Sequence, residues 1–296
     1  MIDLSIIIVN WNTRLLLKNC LNSIFLNTKK IKFEIFVVDN NSTDGTQDMI
    51  ASEFPEVKLI CNNENLGFSR SNNQAILLSS GRNIALINSD IKLCDNVLLK
   101  MVKFLDCSPD AGLVGCKLLN QDGSLQYSCR NELNLSAILF MKIYLDILFP
   151  GSRIFGHHRM SYWGHNDTRS VGYVPACLLV VRKSVLSEVC GLDERFFMYY
   201  EDADLCKRIK KNGWNIYYLH DVVAYHYHSA SIAKHPSIIF RLSVSDKSMI
   251  KYFIKHRGLW TVPILVSFIL LNLMISAIVF VFKRGMLKKL WKFKSY

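Results

Sequence analysis

Near its start the chain reads Leu4-Ser5-Ile6-Ile7-Ile8-Val9, an apolar run that ends at Asn10 and is typical of a buried strand. A helical pattern follows at residues 13–27, and the same alternation of strand and helix then recurs three times. The later strand-like runs cover residues 33–38, 57–61 and 84–87, and helical patterns follow from about residue 43, at 69–80 and at 96–105. Apolar strands of this kind need cover on both faces, so the pattern predicts an α/β fold with a parallel sheet between helices.

Polar loops follow all four of these strands. They read Asn10-Trp11-Asn12, Asp39-Asn40-Asn41-Ser42, Asn62-Asn63-Glu64-Asn65 and Asn88-Ser89-Asp90. One such loop is ordinary turn chemistry, but parallel sheets bind ligands outside the carboxyl ends of their strands, so four polar loops on one edge predict a site. The chain contains no G-x-G-x-x-G or Walker loop, which argues against a dinucleotide-binding or P-loop enzyme.

In the second half, three carboxylates follow an aromatic segment: Phe196-Phe197-Met198-Tyr199-Tyr200-Glu201-Asp202-Ala203-Asp204. Burial and mutual repulsion raise the pKa of a carboxyl group, which makes this cluster a candidate general base. The alternative is the acidic first turn of a helix at about 201–212, with Asp204 paired to Arg208 and Gly213 ending the helix. Other regular segments are expected as a helical patch at 137–149 and strands at 171–181, 214–218 and 222–225.

Charge is unevenly distributed along the chain. The formal net charge is +12, yet residues 247–296 hold ten Lys or Arg and no acidic residue, while residues 1–246 carry 26 basic and 24 acidic side chains. A body near +2 without a basic, aromatic face argues against a nucleic-acid partner, and the basic end favours a membrane surface. The nine cysteines form no C-x-x-C pair, which indicates reduced thiols in the cytosol rather than disulfides or zinc.

Residues 259–282 form an uncharged run that is long enough, at about 1.5 Å per residue, to cross a hydrocarbon layer of about 30 Å. Four basic residues precede this run and six follow it. If the preceding domain is cytosolic, a single span places the more basic end outside, against the positive-inside rule. An in-plane or re-entrant segment keeps both flanks at the cytoplasmic surface, and a buried helix or an oligomer contact is the remaining alternative.

Three motifs of the first half resemble the nucleotide-sugar half of family 2 glycosyltransferases. They read Ser5-Ile6-Ile7-Ile8-Val9-Asn10-Trp11-Asn12, Val37-Val38-Asp39-Asn40-Asn41-Ser42-Thr43-Asp44-Gly45-Thr46 and Asn65-Leu66-Gly67-Phe68-Ser69-Arg70-Ser71-Asn72-Asn73. Motifs of the second half fit the same family, namely Gly191-Leu192-Asp193-Glu194-Arg195-Phe196-Phe197, Glu201-Asp202-x-Asp204-Leu205-x-x-Arg208, and His226 with Ser231. The resemblance covers about residues 3–257 and is nearest to the rhamnosyltransferase-like enzymes of bacterial surface polysaccharide assembly.

This resemblance implies a GT-A fold, which is a Rossmann-like, mostly parallel sheet with flanking helices. The catalytic domain is expected at residues 1–246, with a nucleotide-sugar half at about 1–120 and an acceptor half at about 121–246. Residues 247–296 are expected to form a basic, hydrophobic segment that associates with the membrane.

The resemblance also assigns roles in binding the donor. Asp39 is expected to accept a hydrogen bond from the N3–H of a pyrimidine base, and the alternative is a turn or a cap for the following helix. The other residues expected around the nucleotide sugar are Asn10, Asn12, Asn41, Gly67, Arg70 and Asp90.

A metal motif is expected at Asn88-Ser89-Asp90, which stands where the family carries its D-x-D-like sequence. Because asparagine comes first, Asp90 is the charged ligand expected there for Mg²⁺ or Mn²⁺. His226 is expected as the second ligand because its spacing to Ser231 fits the family. The other histidines nearby are His220 and His228.

Asp202 aligns with the catalytic base of the family, and Glu201 lies beside it. The resemblance therefore implies an inverting hexosyltransferase that uses a dTDP- or UDP-sugar, with rhamnose the sugar most often associated with the subgroup. A lipid-linked saccharide is the expected acceptor, at the inner membrane and with the catalytic domain in the cytoplasm. Two alternatives stay open: transfer directly to polyprenyl phosphate, and a catalytically inactive nucleotide-sugar-binding subunit of a membrane assembly.

Overall fold

A computed structural model provides the fold and describes residues 1–227 and 238–282, with side chains over 1–227 and 243–278. Three features weighed from the sequence lie outside these ranges: His228, Ser231 and the basic residues after 282.

Strand and helix alternate through the first half, as the sequence predicts. The strands are β1 (Leu4–Asn10), β2 (Phe33–Asp39), β3 (Lys58–Cys61), β4 (Asn83–Asn88), β5 (Ile91–Leu93) and β6 (Ala111–Leu119). The helices are α1 (Arg14–Asn27), α2 (Thr46–Glu53), α3 (Gly67–Leu78) and α4 (Val97–Cys107). The sequence analysis missed β6, whose Gly112 and Gly115 weaken a strand pattern but allow Trp214 and Val174 to pack closely against the backbone.

The second half is less regular. Its strands are β7 (Leu125–Gln126), β8 (Arg169–Ser170), β9 (Leu178–Arg182) and β10 (Asn215–His226). Its helices are α5 (Leu135–Lys142), α6 (Leu145–Leu148), α7 (Lys183–Glu188), α8 (Glu201–Lys211), α9 (Ile238–Arg257) and α10 (Thr261–Phe282). Two expectations were wrong in detail: the strands at 214–218 and 222–225 are one strand with a register shift, and only the last part of 171–181 is a strand.

The strands form one sheet in the order β3-β2-β1-β4-β9-β6-β10-β5, with β7 beside β6 and β8 beside β10. Strands β1 to β4 run parallel, and β10 runs parallel to β6. Strand β9 is antiparallel to both β4 and β6, and β5 is antiparallel to β10. The carboxyl ends of β1, β2, β4 and β10 therefore lie on one edge of a mostly parallel sheet, as the resemblance implies.

Helices cover both faces of this sheet because its strands are apolar on both sides. Ile6 and Ile8 of β1 belong to a buried core with residues of α1, α2 and α4. Ile7 between them belongs to a second buried core with residues of α3, α7 and α8. Successive side chains of a strand point to opposite faces, so the uninterrupted apolar run supplies both cores.

A third apolar cluster joins the C-terminal helices to the body. Tyr252 and Phe253 of α9 and Leu265 of α10 pack with Phe196 and Ile138, all of them buried. The expected domain boundary at residue 246 falls inside α9, which begins at Ile238 and continues to Arg257.

Candidate active site

Asp39 lies at the carboxyl end of β2 and is fully buried. Its Oδ1 accepts a hydrogen bond from Asn10 Nδ2 at 3.1 Å, across the paired ends of β1 and β2. Its Oδ2 accepts from the backbone N–H of Ser42 at 3.0 Å and from Gln47 Nε2 at 2.9 Å. The carboxylate of Asp39 therefore organises the loop after β2, which is the turn role weighed from the sequence. It does not cap the following helix, because the N-cap of α2 is Gly45.

Asn12 and Asn41 both have left-handed backbone, with φ of 54° and 60°. Asparagine tolerates this conformation better than most residues other than glycine, which explains its use in both loops. The Oδ1 of Asn12 accepts from the Thr43 N–H at 2.7 Å, while the Asn12 N–H donates to Ser42 Oγ at 2.8 Å. The loops after β1 and β2 are thereby tied into one polar surface beside Asp39.

Gly67 joins the two halves of the molecule. It begins α3 with a φ of +79°, and a Cβ atom there would lie 2.5 Å from the carbonyl oxygen of Phe197. The next residue, Phe68, donates its N–H to the same oxygen at 2.7 Å. Glycine is required for this close approach, which draws the segment before the acidic cluster against the first half. Arg70 lies further along α3 and is exposed.

Asp90 and His226 come together as the sequence analysis predicts, because β5 pairs with the end of β10. Both side chains are buried, and Asp90 Oδ1 lies 3.1 Å from His226 Nε2. The other ring nitrogen, His226 Nδ1, lies 2.6 Å from Gln126 Oε1 on β7. An amide oxygen can only accept, so the Nδ1–H of His226 donates to Gln126, and Nε2 is the ring nitrogen that faces Asp90.

This arrangement fits a divalent cation. His226 Nε2 and the buried Asp90 Oδ1 face each other at 3.1 Å, and a ring nitrogen and a carboxylate oxygen held this close can both be ligands of one ion. A metal-ligating histidine commonly donates its other N–H to an acceptor, which is the part Gln126 plays here. The described residues contain no group of three or more His, Cys, Asp or Glu side chains placed to hold a metal. Further ligands must therefore come from outside this pair.

His220, the alternative ligand on the same strand, is placed elsewhere. Its Nδ1 lies 3.1 Å from Thr168 Oγ1, which precedes β8. Of the histidines weighed from the sequence, the structure brings His226 to Asp90, and His228 lies outside the described residues.

Glu201 and Asp202 begin α8, and the two residues before them carry backbone strain. Tyr199 and Tyr200 have φ of 69° and 68°, in the left-handed region that non-glycine residues rarely adopt. Each such residue costs about 1–3 kcal/mol and persists only where its surroundings hold it. The strain lies directly before the candidate base, so the contacts that hold this segment also position that base.

The two adjacent carboxyl groups have different surroundings. Glu201 is buried and its Oε2 has no hydrogen-bond partner among the described residues, so burial, and then the charge of Asp202, raise its pKa well above the ordinary value. Asp202 is half-buried. Burial raises the pKa of Asp202 as well, but the backbone N–H groups of Ala203 and Ala176 and the charge of Arg130 oppose that rise. Asp202 is thus the more accessible and more readily ionised of the two.

Helix α9 holds the segment before α8 from the other side. Ser248 Oγ donates to the Met198 carbonyl at 2.8 Å, and Lys251 Nζ donates to the Arg195 carbonyl at 2.7 Å. Sequence reasoning did not find these contacts, since donors on a later helix carry no motif that points to a distant carbonyl.

Asp204 anchors α9 on α8. It is fully buried and receives Arg208 Nε at 2.8 Å, the pair expected from the sequence, together with Lys255 Nζ at 2.6 Å and His256 Nε2 at 2.7 Å. Burial alone would raise the pKa of Asp204, but His256, Arg208 and Lys255 together lower it. Asp204 is therefore structural, and it links the acidic helix to the C-terminal part of the chain.

The fold and this site define a family, and the sequence identifies it. A model of the family described as Glycosyl transferase family 2 matches residues 5–166, more than half of the chain. The chain therefore belongs to glycosyl transferase family 2, which confirms the resemblance read from its motifs.

Two characterised relatives share the rhamnosyltransferase name. N-acetylglucosaminyl-diphospho-decaprenol L-rhamnosyltransferase of Mycobacterium tuberculosis is 27% identical over 260 residues, which cover 84% of this chain and 83% of the relative. Rhamnosyltransferase WbbL of Escherichia coli is 27% identical over 201 residues, which cover 64% of this chain and 71% of the relative.

Among solved structures, the mannosyltransferase PcManGT of Pyrobaculum calidifontis, in complex with GDP-Man and Mn²⁺, has a TM-score of 0.53. It is 16% identical, and the match covers 99% of this chain and 79% of that one. At this identity the likeness shows the fold alone, and it confirms the expected GT-A class.

Proposed function

We propose that this protein is an inverting, metal-dependent glycosyltransferase that moves a sugar from a nucleoside diphosphate donor to a lipid-linked saccharide during surface polysaccharide assembly. The observation that carries the proposal is the buried Asp90–His226 pair, in which Gln126 accepts from His226 Nδ1 and orients Nε2 toward Asp90. This pair lies at the same sheet edge as Asp39, where parallel sheets bind their ligands.

On the donor side, Asp39 Oδ1 would accept a hydrogen bond from the N3–H of the base. This oxygen can accept two hydrogen bonds, and Asn10 supplies one of them. Asn10, Asn12, Asn41 and the backbone around Gly67 would form the surrounding surface, with Arg70 at its exposed edge. Uracil and thymine both present this N3–H, so the site suits a UDP- or dTDP-sugar.

Asp90 and His226 would hold Mg²⁺ or Mn²⁺, which when bound neutralises charge on the diphosphate and completes its coordination with diphosphate oxygens. Asp202 would take the proton from the acceptor hydroxyl while that oxygen forms a bond to the anomeric carbon. The bond between this carbon and the diphosphate oxygen breaks on the opposite side, which inverts the configuration. Burial raises the pKa of Glu201 well above its ordinary value, while backbone N–H groups and Arg130 oppose the rise at Asp202, which favours Asp202 as the base.

The lipid-linked acceptor is supported by the name of the mycobacterial relative, which acts on a decaprenol-linked saccharide. It is also supported by α10. Residues 261–278 of this helix have a mean hydropathy of 2.3, and only 17% of these residues are buried. We place the catalytic domain on the cytosolic side of the inner membrane, because nucleotide sugars are made in the cytosol. Rhamnose is our choice of sugar because both relatives bear that activity in their names.

A donor panel tests the proposal. Detergent-solubilised protein would be given dTDP-, UDP- and GDP-sugars with Mg²⁺ or Mn²⁺ and a polyprenyl-diphosphate-linked saccharide, and nucleoside diphosphate release would be measured. We expect acceptor-dependent release from one donor, abolished by excess chelator and reduced about 10²–10⁴-fold in Asp202→Asn with nucleotide binding unchanged. Full activity of Asp202→Asn would remove it as the base, and release to polyprenyl phosphate alone would identify the other acceptor.

A further inference from the structure

Helix α10 has two distinct faces. Thr261, Leu265 and Asn272 are buried against the body, and Phe268 and Ile269 pack partly buried in the same cluster. The opposite face is exposed and mostly apolar, with Ser267 as a polar residue whose hydroxyl donates to the Ile264 carbonyl. The apolar side chains of this face include Val266, Leu270, Leu273, Met274 and Ile278, each between 41% and 63% exposed. At about 100° per residue these positions fall on opposite sides of one helix, so α10 is packed along one side and open along the other.

The packed face extends along most of the helix. Near its start Leu265 lies in the third apolar cluster, and further on Asn272 Nδ2 donates to the Lys142 carbonyl at 2.5 Å. Ser276 Oγ lies 3.1 Å from the hydroxyl of Tyr144. From Thr261 to Ser276 the helix therefore follows the body for about 22 Å, at about 1.5 Å per residue.

This packing is incompatible with a perpendicular span. A helix that crossed a hydrocarbon layer of about 30 Å would carry α5, and the residues bonded to it, into the layer. Those residues include the ion pair between Lys142 Nζ and Asp246 Oδ1 at 2.5 Å, with side chains 16% and 22% exposed. Charged groups are costly at that depth, whereas a helix lying in the interface buries only its apolar face.

A second set of exposed apolar side chains follows Tyr144 in the chain. Tyr144, which contacts Ser276, is the N-cap of α6, and the residues that follow form an elbow, residues 148–154. Leu148, Phe149 and Ile154 in the elbow are 60%, 53% and 68% exposed. Single exposed apolar residues are common, but a set beside an exposed apolar helix forms a patch of the kind that marks an interaction surface.

Exposed cations lie beside this apolar surface. Arg153 precedes Ile154 in the elbow, and Arg257 lies just before Leu259 and Trp260, which are 73% and 58% exposed at the start of α10. Arginine next to exposed aliphatic and aromatic side chains suits an interface in which apolar groups enter the acyl region and cations meet anionic headgroups.

We infer that α10 lies in the plane of one leaflet of an anionic bilayer, with its exposed face and the elbow inserted together. The membrane contact is thus a monotopic surface shared by the C-terminal helix and the acceptor half. It rests on the proposed membrane attachment but not on glycosyl transfer. A lipid-linked acceptor confined to that leaflet would then approach the enzyme from its membrane-facing side, where the acceptor half contacts the leaflet.

Side-of-membrane labelling tests the orientation. Full-length protein with an epitope after Tyr296 would be bound to sealed anionic vesicles from outside and treated with protease. We expect the epitope to be digested as completely as an epitope placed before Met1, because both ends stay on one side. A C-terminal epitope that survives until detergent opens the vesicles would establish a span and overturn the inference.

Vesicle flotation tests the elbow. The triple variant Leu148→Glu/Phe149→Glu/Ile154→Glu should bind anionic vesicles about tenfold less well, since it replaces inserted apolar groups with charge. The matched control is Leu77→Glu/Leu78→Glu on α3, at residues 84% and 61% exposed, and it should bind like the wild type. Nucleotide binding and melting temperature, unchanged in both, would show that each variant is folded.

Two outcomes of these assays would overturn the inference. Equal binding by a folded elbow variant would remove the elbow from the membrane surface. A detergent-free dimer that is lost on α10 substitution and is not dissociated by vesicles would show that the exposed face meets a second copy of the chain instead. Neither readout uses transfer activity, so failure of the proposed reaction would leave both results interpretable.

Discussion

Glu201 and Asp202 are neighbours in the chain, but their surroundings give them different roles. Glu201 is buried, with an oxygen that has no partner in the part of the chain that the structure describes, whereas Asp202 is half-buried and accepts backbone N–H groups. The direction of both pKa shifts is upward, and burial is the largest cause in each. A protonated Glu201 beside an ionised Asp202 avoids two adjacent buried charges and leaves one base.

The raised pKa of Glu201 should make the protein less stable as pH rises. The folded state keeps this proton above the ordinary value of 4.5, where the unfolded state has lost it. The free energy of unfolding should therefore fall as pH rises from about 4.5 through the folded pKa, by at most about 1.4 kcal/mol per pH unit from this group. Denaturant titrations across this window would measure the slope.

Glu201→Gln is the matched variant, since glutamine has nearly the shape of the protonated acid. It should keep transfer activity within a few-fold. Its free energy of unfolding should fall less with rising pH, and the pH dependence that remains should come from Asp202. An unchanged slope, or activity lost as in Asp202→Asn, would contradict the assignment of the proton to Glu201.

In the proposed metal site, Gln126 contacts His226 and would act on the ion only through that ring. Gln126→Leu should weaken Mn²⁺ binding about 10–100-fold, because the imidazole loses the acceptor that holds its proton on Nδ1. Mn²⁺ affinity would be measured by electron paramagnetic resonance in the presence of nucleoside diphosphate. Gln126→Glu, which keeps the acceptor oxygen, should retain most of that affinity; equal weakening in both variants would indicate a packing effect instead.

Among the elements, the junction of α3 with the segment before α8 links the two halves. Gly67 permits this contact, and α9 supports the same segment from the far side through Ser248 and Lys251. The strained residues Tyr199 and Tyr200 lie between these two supports. The position of the base therefore depends on elements that carry none of the reacting groups.

Gly67→Ala should destabilise the protein by more than about 2 kcal/mol, since strain at a positive φ adds to overlap with the Phe197 carbonyl. Gly123→Ala is a close control: its φ is +81°, but nothing lies within 4 Å of an added Cβ atom, so about 1 kcal/mol is expected. Denaturant unfolding would measure both. Equal losses would mean that the junction tolerates the added carbon and does not constrain the base.

The whole molecule behaves as a catalytic body whose C-terminal helices are part of its core. Helix α9 supplies Tyr252 and Phe253 to the third apolar cluster, and its Lys255 and His256 both contact the buried carboxylate of Asp204. Helix α10 continues from α9 along the same body, so the proposed attachment to the membrane and the support of the proposed base share one pair of helices.

A chain that ends at residue 246 should therefore be less stable than one that ends at residue 257, because both lack α10 but only the shorter one also loses the second half of α9. The shorter chain cuts α9 and leaves Asp204 with Arg208 alone, and breaking such a buried network costs about 3–5 kcal/mol. Melting temperatures in detergent, with nucleotide binding as the check of folding, would compare the two. Equal melting temperatures would show that α9 is dispensable to the body.

The sequence by itself determined the parallel half of the sheet, because each apolar strand followed by a helix is a local pattern. It also placed Asn10, Asp39 and Asp90 at one edge, since the carboxyl ends of neighbouring parallel strands must meet there. The family followed from motifs for the same reason: these are short stretches in which chain order and spatial order agree.

Only the tertiary structure decided how those residues are held. Gln126 reaches His226 across 100 residues, Gly67 meets Phe197 from the other half, and α9 returns to Asp204 from 52 residues further on. Such pairs arise where distant elements pack, and neither partner carries a periodic signal that names the other. The same holds for α10, whose sequence is apolar all round. Only its packing against the body distinguishes the buried face of this helix from the exposed face, which we propose meets the membrane.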